Sequence, residues 1–460
     1  MTPIGIAIPS SHARFTRASI ARHVTVMAGT SALSLFAVFL VDILTLVYVS
    51  MLHQPVLLAA VGIAKVLIFI NGAFASGLII AAASVLSERI GHRAAQSVPQ
   101  LTACLMLMVV AVSGLCALVQ LALVSPITHW LGAQAEVYEA ARSFIWLTLP
   151  FTVLQAAMQM AAQMLRSAGD SRRAFWVVLS GAATLAVADP LLIFGLGLGL
   201  DGAGVAYALS ALVSCGLGVY WVRRHIGLAT AVSLKRLRLY ARRILRVALP
   251  AMVANLATPV GLAYLVSTVS IYGTSALAAM AVLDRVMQFS FCAFFALPSA
   301  LAPVLGQNIG AEQPLRVQAA IVFTRRLVIG YGLVIWAVLL ASCVTIADFY
   351  GLDGEGRELF LAFCRVGAGL WVIIGLDFVA IAVFVTMQRA WLVAVFAWLR
   401  ATLGTLPFVY VATHLFGSSG AIPGMFLGNA LIAVMSTVTA TLVARRFLAG
   451  RVQPGSAGVS

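Results

Sequence analysis

The stretch Ala186 to Ser214, AVADPLLIFGLGLGLDGAGVAYALSALVS, sets an aspartate inside an apolar run, a proline directly after it, and a Gly-rich turn before a second apolar run. Two apolar segments joined by so short a turn read as consecutive membrane helices. A carboxylate at that depth in hydrocarbon is costly unless it is protonated, holds an ion or faces a wet cavity, so Asp189 is a functional candidate by default. Pro190 removes a backbone donor beside it, which kinks a helix and frees a carbonyl for a site. The competing reading is a structural aspartate bonded to a neighbouring helix.

Outward from that stretch, the pattern recurs along the whole chain. Of its 460 residues 62% are hydrophobic and only 9% charged, too apolar for a soluble protein of this length. A spanning helix needs about 20 apolar residues. Twelve segments meet that requirement: 24–50, 56–86, 98–124, 140–164, 174–198, 202–222, 244–271, 276–306, 320–346, 359–386, 391–415 and 421–444. The expected fold is an all-α polytopic membrane protein of about twelve transmembrane helices in two six-helix bundles. The longest polar interruption divides it into a leading segment 1–23, an N-terminal bundle 24–222, a basic linker 223–243, a C-terminal bundle 244–444 and a tail 445–460. Basic residues precede the first apolar run, as in a signal peptide, but 24–50 is too long for such a segment and reads as a retained span.

The net charge of +15 does not point to nucleic acid, because the basic residues fall mainly in every second loop. All but two of the 29 Lys and Arg are Arg, the exceptions being Lys65 and Lys235. Arg14, Arg17 and Arg22 precede the first span; Arg89 and Arg93 follow the second; Arg166, Arg172 and Arg173 follow the fourth. The run from Arg223 to Arg246 follows the sixth, Arg316, Arg325 and Arg326 the eighth, Arg389 the tenth, and Arg445, Arg446 and Arg451 the last. Intervening loops carry Glu136, Glu139, Asp201, Asp348, Asp353, Glu355 and Glu358. The positive-inside rule then puts both termini in the cytoplasm, which needs an even number of spans. The preference for Arg over Lys suggests a GC-rich bacterial genome, and hence a multi-pass protein of the bacterial inner membrane. All six cysteines lie in apolar spans and read as packing residues. The histidines are scattered, and no HExxH, GxSxG or P-loop pattern occurs, which argues against a membrane-embedded enzyme or an ATP-driven pump.

The halves look like repeats. A shift of 219 residues lays Leu58–Gly91 on Leu277–Gly310, matching an LAA start and an IG stop. A shift of 218 lays Gly199, Gly202 and Ala203 on Gly417, Gly420 and Ala421. Each half has an even number of spans, so the repeats are parallel, and a substrate site is expected between them near the midplane.

Six stretches in register then resemble the multidrug and toxic compound extrusion (MATE) transporters, over essentially the whole chain. They are Asp42 followed by LAAVGIA and SERIG, RSAGD at Arg166–Asp170, ADPLLIFG at Ala188–Gly195, DGAGVAYA at the start of span six, and PVLGQNIGA at Pro303–Ala311. The resemblance implies two six-helix bundles around a central cleft and an antiporter that expels amphipathic, cationic compounds in exchange for H+ or Na+. It implies a cation-coupling role for Asp42 and Asp189, as in the DinF-like branch, and for Asp377, as in other branches. Leu185 and Tyr207 stand where the family has Asn and Thr; losing such neutral oxygens weakens a Na+ site, so H+ coupling is expected. The first span lacks the family's usual proline, leaving Gly29 as its flexible point, and Asn255 stands where some branches carry a glutamate.

The charges within spans can be weighed on their own chemistry. Antiport needs a group that binds either a proton or a cationic substrate, and a buried carboxylate pair such as Asp42 and Asp189 suits it. The repeat alignment lays Lys65 on Asp284, an expected ion pair across the outer cleft; the alternative is a snorkelling Lys65 and an Asp284 paired locally with Arg285 or another neighbour. Arg400, or Arg365, is positioned to balance Asp377. Tyr207, Asn255, Tyr264, Phe289 and Met287 are candidate substrate contacts, with Phe69, Phe74, Phe291, Phe294, Phe295, Trp371, Phe378, Met158, Met160, Met164 and Met280 as further possibilities. The expected partners are the lipid bilayer and small amphipathic molecules, with no nucleic acid, for a monomeric chain with no cofactor beyond the coupling ion. A Na+-coupled exporter, or a flippase for lipid-linked oligosaccharides, is the alternative.

Overall fold

The computed structural model describes residues 13–92, 95–130 and 135–452. Residues 1–12 of the leading segment, 453–460 of the tail, and Arg93 lie outside the described residues. The described chain is α-helical with no strand. Twelve segments are long and apolar enough to cross a membrane, so this is a multi-pass membrane protein. Spans one to six are Ile20–Ser50, Pro55–Gly91, Val98–Ala122, Glu136–Ser167, Ser171–Gly195 and Gly199–His225. Spans seven to twelve are Leu234–Tyr272, Cys292–Gly310, Pro314–Phe349, Gly354–Thr386, Trp391–Phe416 and Ser418–Gly450.

The basic stretch 223–243 is more helical than its charge suggested. Span six continues to His225 and a new helix starts at Leu234, leaving 226–233 as the connection. Leu237, Ala241 and Ile244 recur at helical spacing between arginines, and arginine is itself a good helix former.

Several spans are broken, mostly where proline withholds a donor. Span four bends through a 3-10 turn at Leu149–Phe151 around Pro150. Span seven parts between Asn255 and Ala257, because Pro259 has no N–H for the Asn255 carbonyl one turn back. The expected span 276–306 is two helices, Thr274–Ser290 and Cys292–Gly310. Phe291 forms the break, its buried ring stacked at 5.4 Å from Phe294 and 5.3 Å from Trp371. Span eleven divides into Trp391–Ala401 and Leu406–Phe416, with Pro407 in the first turn of its second half. By contrast, span one runs straight through Gly29 as one helix.

Two compact units result: Met1–Arg17 with Leu33–Ala248, and Ala18–Ala32 with Leu249–Ser460. Span one is therefore shared, its first residues belonging to the second unit. Inside the first unit, spans two and three are cross-linked by buried amides and hydroxyls. Asn71 Nδ2 donates to the Ser113 carbonyl (3.0 Å), Ser113 Oγ returns a bond to Asn71 Oδ1 (2.5 Å), and Gln120 Nε2 donates to the Leu67 carbonyl (2.9 Å). Such bonds hold where hydrocarbon offers no competing water.

The internal repeat is visible in helix ends. Span two runs Pro55–Gly91, and residues Thr274 and Gly310, each 219 further on, bound the broken pair in the other half. The same offset relates the left-handed Gly169 (φ +83°) and Gln388 (φ +59°) in the turns after spans four and ten. Gly199 (φ +56°) and Gly417 (φ +64°) hold the equivalent turns before spans six and twelve, where a side chain is strained.

In the second unit, span twelve lies backbone against backbone on the break in span eleven. A Cβ on Gly428 would overlap the Gly404 carbonyl oxygen, and one on Gly424 would stand 2.7 Å from the Phe408 carbonyl oxygen. Gly428→Val is therefore expected to lower stability by about 3 kcal/mol or more through overpacking. Gly216→Ala, with nothing within 4 Å of the new methyl, leaves it unchanged or raised. Thermal unfolding of the purified protein in detergent measures both.

Candidate functional site

Two acids of the first unit, Asp42 and Asp189, come together where spans one, five and six meet. Span five carries Asp189 in the last α-helical turn; Pro190 follows, and Leu191–Gly195 open into a wider π-helical turn. The expected kink is thus a change of helical pitch directly after the carboxylate. The turn sets Phe194 edge-on to Tyr48 of span one, ring centroids 6.2 Å apart. One turn back along span one, Thr45 Oγ1 donates to Asp189 Oδ2 at 2.5 Å. Asp189 is fully buried (0% exposed), and its Oδ1 has no hydrogen-bond partner among the described residues. Asp42, one turn before Thr45, is exposed and so differs from the buried pair expected, yet it interacts electrostatically with both Asp189 and Tyr207.

Asp42, Asp189 and Tyr207 therefore share one neighbourhood, with Thr45 as a member that sequence reasoning missed. Its signal was spacing: residues 42, 45 and 48 rise along one helix face. Chemically, the neighbourhood holds two like charges and neutral hydroxyls. Two carboxylates so placed bind a proton or a cation as a coupled unit.

In the second unit Asp377 meets a different partner. It is 1% exposed, and its Oδ2 accepts from Arg400 Nη1 at 2.5 Å. The expected balancing of Asp377 by Arg400 is present; Arg365 is exposed, and its carbonyl instead accepts from Trp336 Nε1 at 3.3 Å. Arg400 reaches Asp377 from the last turn of the first half of span eleven, where a helix end favours a cation.

Asp284 is exposed and accepts from Gln288 Nε2 at 2.7 Å, one turn along its own helix. Arg285 in turn donates to Gln288 Oε1 at 3.3 Å. Asp284 therefore has the local partner that the alternative reading allowed, through Gln288. Lys65 is half-buried on span two.

The aromatic candidates separate by burial. Phe291, Phe294 and Trp371 are packed into one another, with Phe295 and Phe378 edge-on at 5.5 Å, so these rings form a core. Met158, Met160 and Met164 are likewise fully packed. Tyr207, Asn255, Tyr264, Met287 and Phe289 keep partial exposure, and Phe69 is exposed. Asn255 stands at the break in span seven, and Tyr264 lies two turns beyond.

A further cluster escaped sequence reasoning. Glu88, buried in the SERIG ending of span two, pairs with Arg243 at 2.8 Å and lies 3.7 Å from His92. It ties the basic helix Leu234–Asn255 to the first unit. Among the described residues, no group of three or more His, Cys, Asp and Glu has the arrangement of a metal centre.

Comparison with known proteins adds an independent line. The MatE family model matches residues 31–191 and 250–411. The chain is 41% identical over 247 residues to an uncharacterized 21 kDa protein in the iaaL 5' region of Pseudomonas savastanoi, covering 53% of this chain and 80% of that protein. It is 23% identical over 317 residues to the FAD transporter of Shewanella oneidensis, covering 68% and 70%. It is 21% identical over 295 residues to the multidrug export protein MepA of Staphylococcus haemolyticus, covering 63% and 64%. Among solved structures, the Vibrio cholerae MATE transporter VcmN in its bent form superposes with a TM-score of 0.86 at 20% identity, covering 94% of this chain and 98% of that one.

The Asp377–Arg400 pair makes a definite stability prediction. Removing either partner leaves a buried charge, so Asp377→Asn or Arg400→Gln alone should cost about 3–5 kcal/mol, whereas both together should come within about 1 kcal/mol of the parent. A double-mutant cycle on thermal unfolding in detergent checks it; additive losses would mean that the two groups do not interact.

Proposed function

This chain belongs to the MatE family of transporters, and on that premise we propose that it is a secondary antiporter exporting amphipathic, cationic organic compounds in exchange for protons. The observation that carries this reading is Asp189: a fully buried carboxylate with one oxygen on the Thr45 hydroxyl, the other without a hydrogen-bond partner among the described residues, and Asp42 as its charged neighbour. Two like-charged acids side by side call for a cation to share. When ionised they attract a cationic substrate; when protonated they release it, because the same charge cannot serve both. The alternation makes export depend on proton entry, with access switching from one side of the membrane to the other.

Protons are favoured over Na+ by the donor set. A hard cation wants several oxygen ligands; beside the two carboxylates Thr45 and Tyr207 bring one hydroxyl each, and Leu185 supplies no side-chain oxygen. A proton needs only the carboxylate. Tyr264, Phe289 and Met287, partly exposed on the second unit, have the aromatic and polarisable surfaces that receive flat cations. Basic loops on one side of the bilayer support cytoplasmic termini and an inner-membrane location.

Inverted vesicles containing the protein test this directly, with ethidium and FAD as alternative cargoes under an imposed pH gradient and then a Na+ gradient. Ethidium movement driven by the pH gradient alone is expected. Asp42→Asn and Asp189→Asn should abolish it at normal membrane abundance, and Thr45→Val should slow it while leaving it gradient-dependent. Movement driven only by Na+ would overturn proton coupling, and transport of FAD without ethidium would overturn the cationic substrate class.

A further inference from the structure

The two units treat their buried carboxylates in opposite ways. Around Asp189 the charged neighbour is another acid, Asp42, and the direct partner is a neutral hydroxyl. Around Asp377 the direct partner is a guanidinium, 2.5 Å from Oδ2, while Oδ1, like that of Asp189, has no hydrogen-bond partner among the described residues, so the two sites differ in charge and not in hydrogen bonding. The first arrangement sets like charges together; the second is neutral as built.

We propose that Arg400 is the resident counter-ion of the second unit. It occupies on Asp377 the place that an exchangeable ion would need to enter and leave, so ion exchange is confined to Asp42 and Asp189. Arg400 is thereby the residue that fixes one ion site per chain instead of two. The inference rests on the antiport reading above and narrows it, since Asp377 becomes a positioning residue in place of a coupling one.

Three features make Arg400 a permanent occupant. Its guanidinium does not lose its proton in proteins, so no change of pH releases the pair through the arginine. Its backbone is pinned at the break in span eleven, where Thr405 Oγ1 donates to the Arg400 carbonyl at 2.8 Å. That break is itself clamped: a Cβ on Gly404 would stand 2.9 Å from Asn429 Oδ1 and 3.0 Å from the Arg400 carbonyl oxygen, and one on Gly261 of span seven would stand 3.3 Å from the Ala401 Cα. With neighbours this close on both sides, the backbone that carries the arginine has little room to move.

Other charges on the helices packed around span ten are engaged elsewhere or exposed. Arg325 donates to Thr441 Oγ1 at 2.8 Å, and Arg316 donates to Asn308 Oδ1 at 3.1 Å. Arg326, Arg365, Arg445 and Arg446 are exposed. Asp348 pairs with Arg357, Glu355 accepts from Ser418, and Glu358 belongs to the acid-bearing end of span ten. Arg400 is thus the one ion-pair partner of Asp377 among the described residues.

Infrared difference spectroscopy of the purified full-length protein, titrated from mildly alkaline to mildly acid pH, reads the protonation of buried carboxyls without requiring transport. The variants are D189N, R400K, R400Q and the charge-neutral double D377N/R400Q. The wild type is expected to show a protonated-carboxyl band that D189N loses and the double retains at full amplitude. R400Q should gain one further carboxyl per chain that the double lacks, while R400K, which keeps the charge, should gain none. Loss of part of the wild-type band in the double, or no gain in R400Q, would overturn the proposal. If R400Q is not recovered folded, the comparison of wild type with the double still decides, because it asks whether Asp377 titrates when Arg400 is present. Retention of the full band in D189N would instead overturn the antiport reading, a failure told apart from that of Arg400 because it is read in a different variant.

Discussion

Hydrocarbon offers no hydrogen bonds, and that single lack governs where this chain can bend and where it can hold a charge. Each break in a span exposes carbonyls and amides that the protein must shield itself. At span eleven the shielding comes from span twelve, whose Gly424 and Gly428 allow backbone to lie directly on backbone. At span five, Phe194 in the wider turn after the proline packs edge-on against Tyr48 of span one. Buried hydroxyls follow the same logic: Thr324, Thr386 and Thr413 each donate to a carbonyl one turn back on their own helix.

Charge obeys the rule more severely. The same chain uses two solutions for a buried carboxylate, a hydroxyl with a second acid in one unit and a guanidinium in the other. They differ in what they leave to be supplied from outside. A carboxylate held by arginine has its charge balanced within the protein, although Asp377 Oδ1 keeps no hydrogen-bond partner among the described residues, whereas a pair of acids needs something mobile to share its charge. The proposed antiport needs one site of the second kind, and the repeat architecture allows the two halves to diverge in this respect while keeping common helix ends and turns.

The first span is divided between the two units. It is one helix from Ile20 to Ser50, its early residues belong to the second unit, and its later residues carry Asp42 and Thr45 beside Asp189. The basic helix after span six is similarly shared, with Arg243 anchored to Glu88 before the chain crosses into the second unit at Leu249.

Sequence alone determined the class of the protein, the number of spans, the repeat offset and which acids lie within spans, because these depend on hydropathy and spacing along one chain. An aspartate in an apolar run is anomalous wherever its neighbours lie. Helicity in the basic stretch before Arg243 was less legible, since a charge run masks a helical apolar stripe. The partners of the acids were decided by tertiary structure: Thr45 for Asp189 across 144 positions, Arg400 for Asp377 across 23, and Arg243 for Glu88 across 155. The same holds for the aromatics, where Phe291 and Trp371 form core and Phe289 keeps an exposed edge although composition treats them alike. A hydrogen bond or a ring contact is a relation between helices, set by how their faces turn and where their breaks fall, and that relation arises only when the chain is folded.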